Sequence, residues 1–507
     1  MPPPDDDNKP LLLKDVIRVK DSIAERLASN EKSSWTIDMV PRNWRDVHEN
    51  AFLPEMIRIG PFRDENERKH QHRLGVMEQH KLRFLNRLLG GELERLRRPT
   101  RRRILAFDLG VREDDDGDRV EEALPLDDLS EALCLDDLLK AMHILEPKTR
   151  AFYSKNFFPF YSDFREMMVV DGCFVVELLR LYYDLLHTKS TADAIKDDPI
   201  LANPRILTTL RRDLLLLENQ LPFFVLEKLY ELINKKNNID HQQAVRLEVL
   251  AVTFFNPLLP QKNAASKLDS KSPKDHLLDV FRSTFLKSVS GKVHNKGKDQ
   301  ADSQLNRDGS IRGLSLHFPS ELEEAGVQFK KWKGHDLLDI EFRHGTLRVP
   351  PFSINENTVS LLLNFVAYEL SMDHREPFTD YHREPFFTNY LLFWDSLVNS
   401  PGDIQILHKH GIINNALGSD VDVANLLMRC RQVISDRDLG YLHYIIEGVN
   451  GYCEQYCESK RRVWWRSLIR ERFSSPWTCL SLFAAIILLL LTLLQTFYTV
   501  YAYYRPH

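Results

Sequence analysis

The C-terminal thirty-five residues constrain this chain more than any other feature, because no charged side chain occurs between Arg472 and Arg505. From Leu482 to Phe497 the run reads Leu-Phe-Ala-Ala-Ile-Ile-Leu-Leu-Leu-Leu-Thr-Leu-Leu-Gln-Thr-Phe. As a helix, Trp477 to Tyr501 covers about 37 Å, enough for a tilted crossing of a ~30 Å hydrocarbon layer. The segment 477–501 therefore reads as a transmembrane helix. Trp477 stands at one end and Tyr498 and Tyr501 at the other, where amphipathic rings favour the headgroup layer. The competing reading is a buried core helix, and the length and leucine content of the run argue against it.

The flanks predict an orientation. Lys460, Arg461, Arg462, Arg466, Arg470 and Arg472 precede the run and only Arg505 follows it, so the positive-inside rule keeps the large N-terminal portion in the cytosol. The start, Met-Pro-Pro-Pro-Asp-Asp-Asp, has no basic region and its first apolar run, Leu11 to Leu13, is short. No secretory signal is read there, and the expectation is a single-pass, tail-anchored protein, with the plasma membrane favoured over the endoplasmic reticulum. Within 460–473, Arg462, Arg466 and Arg470 recur every four residues beside Trp464, Trp465, Leu468 and Ile469. A helix would align the guanidiniums along one stripe, placing a basic amphipathic juxtamembrane segment against anionic lipid at about 1 kcal/mol per basic residue. Its alternative is a helix docked on the domain itself. Cys479, at the membrane boundary, is a candidate for S-palmitoylation.

At 507 residues the chain exceeds one ordinary core. Its net charge of −5 supplies no basic field, which argues against nucleic acid as a partner. Six scattered cysteines read as reduced thiols of a cytosolic domain.

The fold class read from periodicity is mainly α: a multi-helix globular domain with a small β-hairpin, then one C-terminal transmembrane helix. Residues 1–34 read as a flexible tail, 35–256 as the first half of a helical domain, 257–313 as a polar insertion, and 314–459 as the second half. Helices are expected over Met77–Leu96, Met167–Tyr183 and Val359–Leu370, and in two pieces over Arg211–Tyr230 because Pro222 lacks an N–H. One helix, Leu277–Leu286, is expected inside the insertion. Alternation in Leu338–Phe342 and Leu347–Val349 around Arg343-His-Gly-Thr346 predicts the hairpin, near 337–349. A basic cluster at Arg97–Arg103 reads as a solvated face, an acidic run over 112–118 as a loop, and the repeat of His374-Arg-Glu-Pro-Phe378 at 382–386 as a local duplication.

No motif that carries catalysis, a cofactor or a metal is found: no Gly-x-Ser-x-Gly, Gly-x-Gly-x-x-Gly, His-Glu-x-x-His or Cys-x-x-Cys. Cys453 and Cys457 share a helical face but supply only two soft ligands. Catalytic, cofactor and metal residues are accordingly expected to be none. Glu218 and Asn219, a carboxylate and an amide in an apolar stretch, need partners, and the favoured role is to satisfy backbone groups or an arginine.

Several blocks, in order, resemble the plant-specific "domain of unknown function 247" family, also called uncharacterised protein family 0481. They are Trp35-Thr-Ile-Asp-Met-Val-Pro41, Phe52-Leu-Pro-Glu-Met-Ile-Arg-Ile-Gly-Pro61, Met77-Glu-Gln-His-Lys-Leu-Arg83, Val170-Asp-Gly-Cys-Phe-Val-Val-Glu-Leu-Leu-Arg180 and Asp213-Leu-Leu-Leu-Leu-Glu-Asn-Gln-Leu-Pro-Phe223. Glu324-Ala-Gly-Val-Gln-Phe-Lys330, Gly411-Ile-Ile413, Leu417-Gly-Ser-Asp420 and Pro476-Trp477 continue the series, which covers about residues 35 to 501. The chain departs from the family pattern at Phe62-Arg63, where relatives often carry Tyr-His-His. The resemblance implies a mostly helical plant protein with a C-terminal membrane helix and no assigned activity; some grass members are associated with self-incompatibility loci. The first expectation is thus a non-enzymatic, membrane-anchored interaction or signalling module with an unidentified protein partner. The alternatives are a membrane-bound enzyme with an unrecognised site and a self-recognition determinant.

Overall fold

A computed structural model describes residues 36–46, 48–62, 71–90, 133–154, 164–188, 197–236, 244–269, 272–299, 316–372, 384–434, 440–458 and 476–504. Among them the chain is mainly helical. The helices of the first part are α1 (Arg42–Arg45), α2 (Gln71–Leu88), α3 (Leu135–Ala151), α4 (Phe164–His187), α5 (Pro204–Asp213), α6 (Phe223–Lys236), α7 (Leu247–Phe255) and α8 (Leu277–Asp299). Then come α9 (Pro319–Glu324), α10 (Glu356–Ser371), α11 (Phe386–Leu397), α12 (Pro401–Lys409), α13 (Asp420–Ile434), α14 (His443–Glu458) and α15 (Pro476–Tyr504).

Helix α4 is apolar nearly all round, and it is correspondingly the central element: α2, α3, α6 and α7 all pack on it. Gly172 gives α6 room to approach, since a Cβ there would lie 2.3 Å from Leu229 Cδ1 of α6. The expected break at Pro222 is observed, with α5 ending at Asp213, a loop over 214–222, and α6 beginning at Phe223.

The hairpin is present and shorter than its sequence pattern. Strands β2 (Glu341–Arg343) and β3 (Thr346–Val349) pair antiparallel with Phe342 opposite Leu347. The two turn residues between them, His344 and Gly345, have φ of 49° and 74°, the left-handed pair that a tight hairpin of this twist requires. Three strands were not visible to periodicity. Strand β1 (Gln328–Lys331) runs parallel to β3 and makes the sheet order β1-β3-β2, while β4 (Phe352–Ile354) pairs parallel with β5 (Ile413–Asn415).

The reading of 257–313 as a polar insertion fails over its middle. Leu277, Leu278, Val280, Phe281, Phe285, Leu286 and Val289 are all buried, in the same core cluster as residues of both flanking halves. The helix also runs on to Asp299, well past Leu286. The lysines and serines around these positions hid an apolar face that the core needs. On the same helix the buried Arg282 bonds Glu369 of α10 through Nε at 2.9 Å and Nη2 at 2.7 Å. That carboxylate also accepts the N–H groups of Phe387 and Thr388 and the Thr388 hydroxyl at the start of α11.

Of the described helices, only α15 is long and apolar enough to cross a membrane, by length and composition, over Phe483–Tyr501, and none of that window is buried.

Candidate functional site

The densest polar chemistry in the described residues lies at the foot of α5 and in the loop that follows it. Residues 50–60 run past this loop with no helix beyond a short turn at Glu49–Ala51, so their peptide groups need partners from elsewhere. Asp213 supplies three of them. Its carboxylate accepts the N–H groups of Glu55 at 3.1 Å, Met56 at 2.7 Å and Ile57 at 3.0 Å, and is 0% exposed. Arg212 neutralises it at 2.8 Å and donates onward to the carbonyls of Leu53 and Asn50. Burial pushes the Asp213 carboxyl up to about 6, against the downward pull of Arg212 and the three N–H groups.

Asn219 continues the clamp in the manner of a paired strand. Its Oδ1 accepts from Ile59 N–H at 2.6 Å, while Nδ2 donates to the carbonyls of Ile57 at 3.0 Å and Asp213 at 2.8 Å. Asp171, on α4, accepts from Gly60 N–H at 3.0 Å and faces Lys81 of α2 at 2.7 Å. Lys81 in turn donates to the carbonyl of Arg58. Burial raises the Asp171 carboxyl, and Lys81 opposes that rise. Gly60 itself, with φ of 77°, sits where a Cβ would meet Gln220 O at 2.9 Å, so the left-handed conformation and the close approach both require glycine.

Glu218 lies at the rim. Its carboxylate accepts from Val40 N–H at 2.6 Å and pairs with both oxygens to Arg45 Nη2, at 2.6 and 2.7 Å. Glu218 and Asn219 therefore do what the sequence favoured, satisfying backbone groups and an arginine. Phe62, the departure from the family pattern, stacks edge-on to Tyr153 at 5.6 Å, and the Tyr153 hydroxyl donates to Gln220 O.

Five separated segments thus meet at one place: 37–45, 50–62, Lys81, Asp171 and 212–220. Asp213, Asp171 and Lys81 were not singled out from the sequence, although each falls inside a block that carries the family resemblance. The arrangement performs a mechanical task. It fastens an extended N-terminal strap by its backbone, with charge-assisted bonds each contributing about 1.5–3 kcal/mol.

The sites proposed from sequence lie elsewhere. Lys460, Arg461, Arg462, Arg466, Arg470, Arg472, Trp464 and Trp465 fall outside the described residues, as do the basic cluster at 97–103, the acidic run at 112–118 and both histidines of the duplication. Trp477 and Cys479 occupy the first turn of α15. Tyr498 and Tyr501 are exposed near its other end, the latter stacked on Phe497. Of the cysteine pair considered for zinc, Cys453 is buried. Lys409 closes α12, where positive charge complements the helix dipole.

Comparison with known proteins agrees with the blocks. The family model DUF247, described as a plant protein of unknown function, matches residues 37–112 and 120–491. A UPF0481 protein of Arabidopsis thaliana is 28% identical over 494 residues, covering 94% of this chain and 88% of that one. A putative UPF0481 protein of the same plant is 26% identical over 194 residues, 38% of this chain and 34% of its own length. No solved structure matches the chain.

Proposed function

The chain belongs to the plant DUF247 family, and from that premise we propose that it is a membrane-anchored, non-enzymatic module that presents a helical domain to a protein partner in the cytosol. The observation that carries this reading is α15. Its Leu480, Phe483, Leu488 and Leu489 are between 61 and 66% exposed, an apolar surface that water disfavours at about 25 cal/mol per Å² and a bilayer accepts. The clustered basic residues at 460–472 favour the cytosolic orientation.

The non-enzymatic part rests on how the buried charges are used. Glu218, Asp213 and Asp171 hold the 37–60 strap, and Glu369 holds the start of α11. A general acid or base needs a proton in reach of substrate, whereas these carboxylates face peptide N–H groups. The direct test is a chain truncated after Phe473, expressed in plant cells beside the full chain. The full chain should sediment with membranes and resist alkaline extraction, and the truncated one should be recovered in the soluble fraction. Equal retention of both would remove the anchor from the account.

A further inference from the structure

Helix α15 is sided. Between residues 481 and 499, Ser481, Ala484, Ala485, Thr492, Gln495, Thr496 and Thr499 fall within about one third of its circumference at 3.6 residues per turn, with Leu488 the one large residue among them; Trp477 and Tyr503 share that third at the two ends of the helix. Ile486, Ile487, Leu490, Leu494 and Phe497 take the remainder. The threonines are satisfied within the helix: Thr492 donates to Leu489 O at 2.8 Å, Thr496 to Thr492 O at 2.7 Å and Thr499 to Gln495 O at 2.5 Å. The Gln495 side chain makes no bond of this kind among the described residues. It lies six residues before Tyr501, the end of the apolar window, or roughly 9 Å inside it. An amide at that depth in hydrocarbon needs a partner.

We infer that α15 pairs with the same helix of a second copy of this chain, side by side and in the same orientation, across the face that carries Gln495. The inference rests on the membrane reading above. An amide is both donor and acceptor, so two glutamines facing each other satisfy one another. Identical chains inserted the same way bring residue 495 to the same depth, which a helix of different sequence would do only by coincidence. Ser481, Ala484 and Ala485 let the two backbones approach, and the leucine-rich side is left to lipid.

The test uses the full-length chain with Cys479→Ala, carried in two differently tagged copies in phosphatidylcholine vesicles containing anionic lipid. Disulfide cross-linking should be strong for Thr492→Cys and Thr499→Cys and weak for Leu490→Cys and Phe497→Cys. Resonance energy transfer between the copies should show association weakened about tenfold by Gln495→Leu and kept by Gln495→Asn. Cross-linking that does not distinguish the two faces, or association unchanged in Gln495→Leu, would overturn the pairing. Alkaline extraction of the same vesicles separates the premises: an extractable chain overturns the membrane reading, and an alkali-resistant monomer overturns the pairing alone.

Discussion

Arg282 and Glu369 meet at 2.7 Å with their side chains 1% and 0% exposed. The contact joins α8, which the composition placed in an insertion, to α10 in the second half of the domain. Removing one partner of such a pair leaves a buried charge uncompensated, at about 3–5 kcal/mol. Arg282→Met is therefore expected to lower the unfolding free energy of the domain by that amount in urea titration. Pairing it with Glu369→Leu should recover little, because Phe387 and Thr388 then lose their acceptor. Full recovery in the double variant would mean that the ion pair alone, and not the capping of α11, matters.

The same contact reverses an expectation drawn from composition. Replacing residues 262–312 by a flexible linker would remove Phe281, Phe285 and Arg282 from the core. The deletion should lose cooperative melting. Restricting it to residues 301–312, beyond α8, should leave the transition in place.

At the strap, Asn219→Leu keeps the branching of the side chain but removes the bonds to Ile59 N–H and to the carbonyls of Ile57 and Asp213. The Asp213 carbonyl still accepts from Leu216 N–H at 3.3 Å, so two buried groups are left unmet at about 1–3 kcal/mol each, and a loss of at least about 2 kcal/mol is expected. Glu218→Gln, at the rim and half able to keep its bonds, should cost about 1 kcal/mol. Equal effects of the two would contradict the clamp.

Asp213 also sets a pH dependence. Its folded value of about 6 lies above the ordinary 3.8, so the folded state holds the proton more tightly than the unfolded one. The stabilisation this gives is complete below pH 3.8, falls as pH rises to about 6 and is absent above it, amounting to about 3 kcal/mol. Burial raises Asp171, Asp279 and Glu384 in the same direction. Urea unfolding between pH 4 and 7 should show stability decreasing with pH, and Asp213→Asn should flatten that slope. A variant with an unchanged or steeper slope would show that Asp213 is not the titrating group.

How much of this was legible depends on the range of the interactions. Helix α4, the break at Pro222, the turn at Gly345 and the apolar run of α15 depend on neighbours a few residues apart, and periodicity exposes them. Asp213, Asp171 and Lys81 look like surface residues in the sequence because their partners lie up to 158 positions away. Strands β4 and β5 are three residues each and pair across sixty-one positions, too short and too distant for any alternation to register. The segment 257–313 was the costliest misreading, since the lysines and serines on either side of Leu277–Val289 are of types ordinarily solvated.

The central claim is that one C-terminal helix holds a cytosolic domain on a membrane, and protease protection measures it most directly. In sealed, cytosol-side-out vesicles carrying the full chain, a tag at the N-terminus should be digested and a tag after His507 should be shielded until detergent is added. Shielding of the N-terminal tag, or glycosylation of a sequon introduced within residues 1–450, would contradict the account.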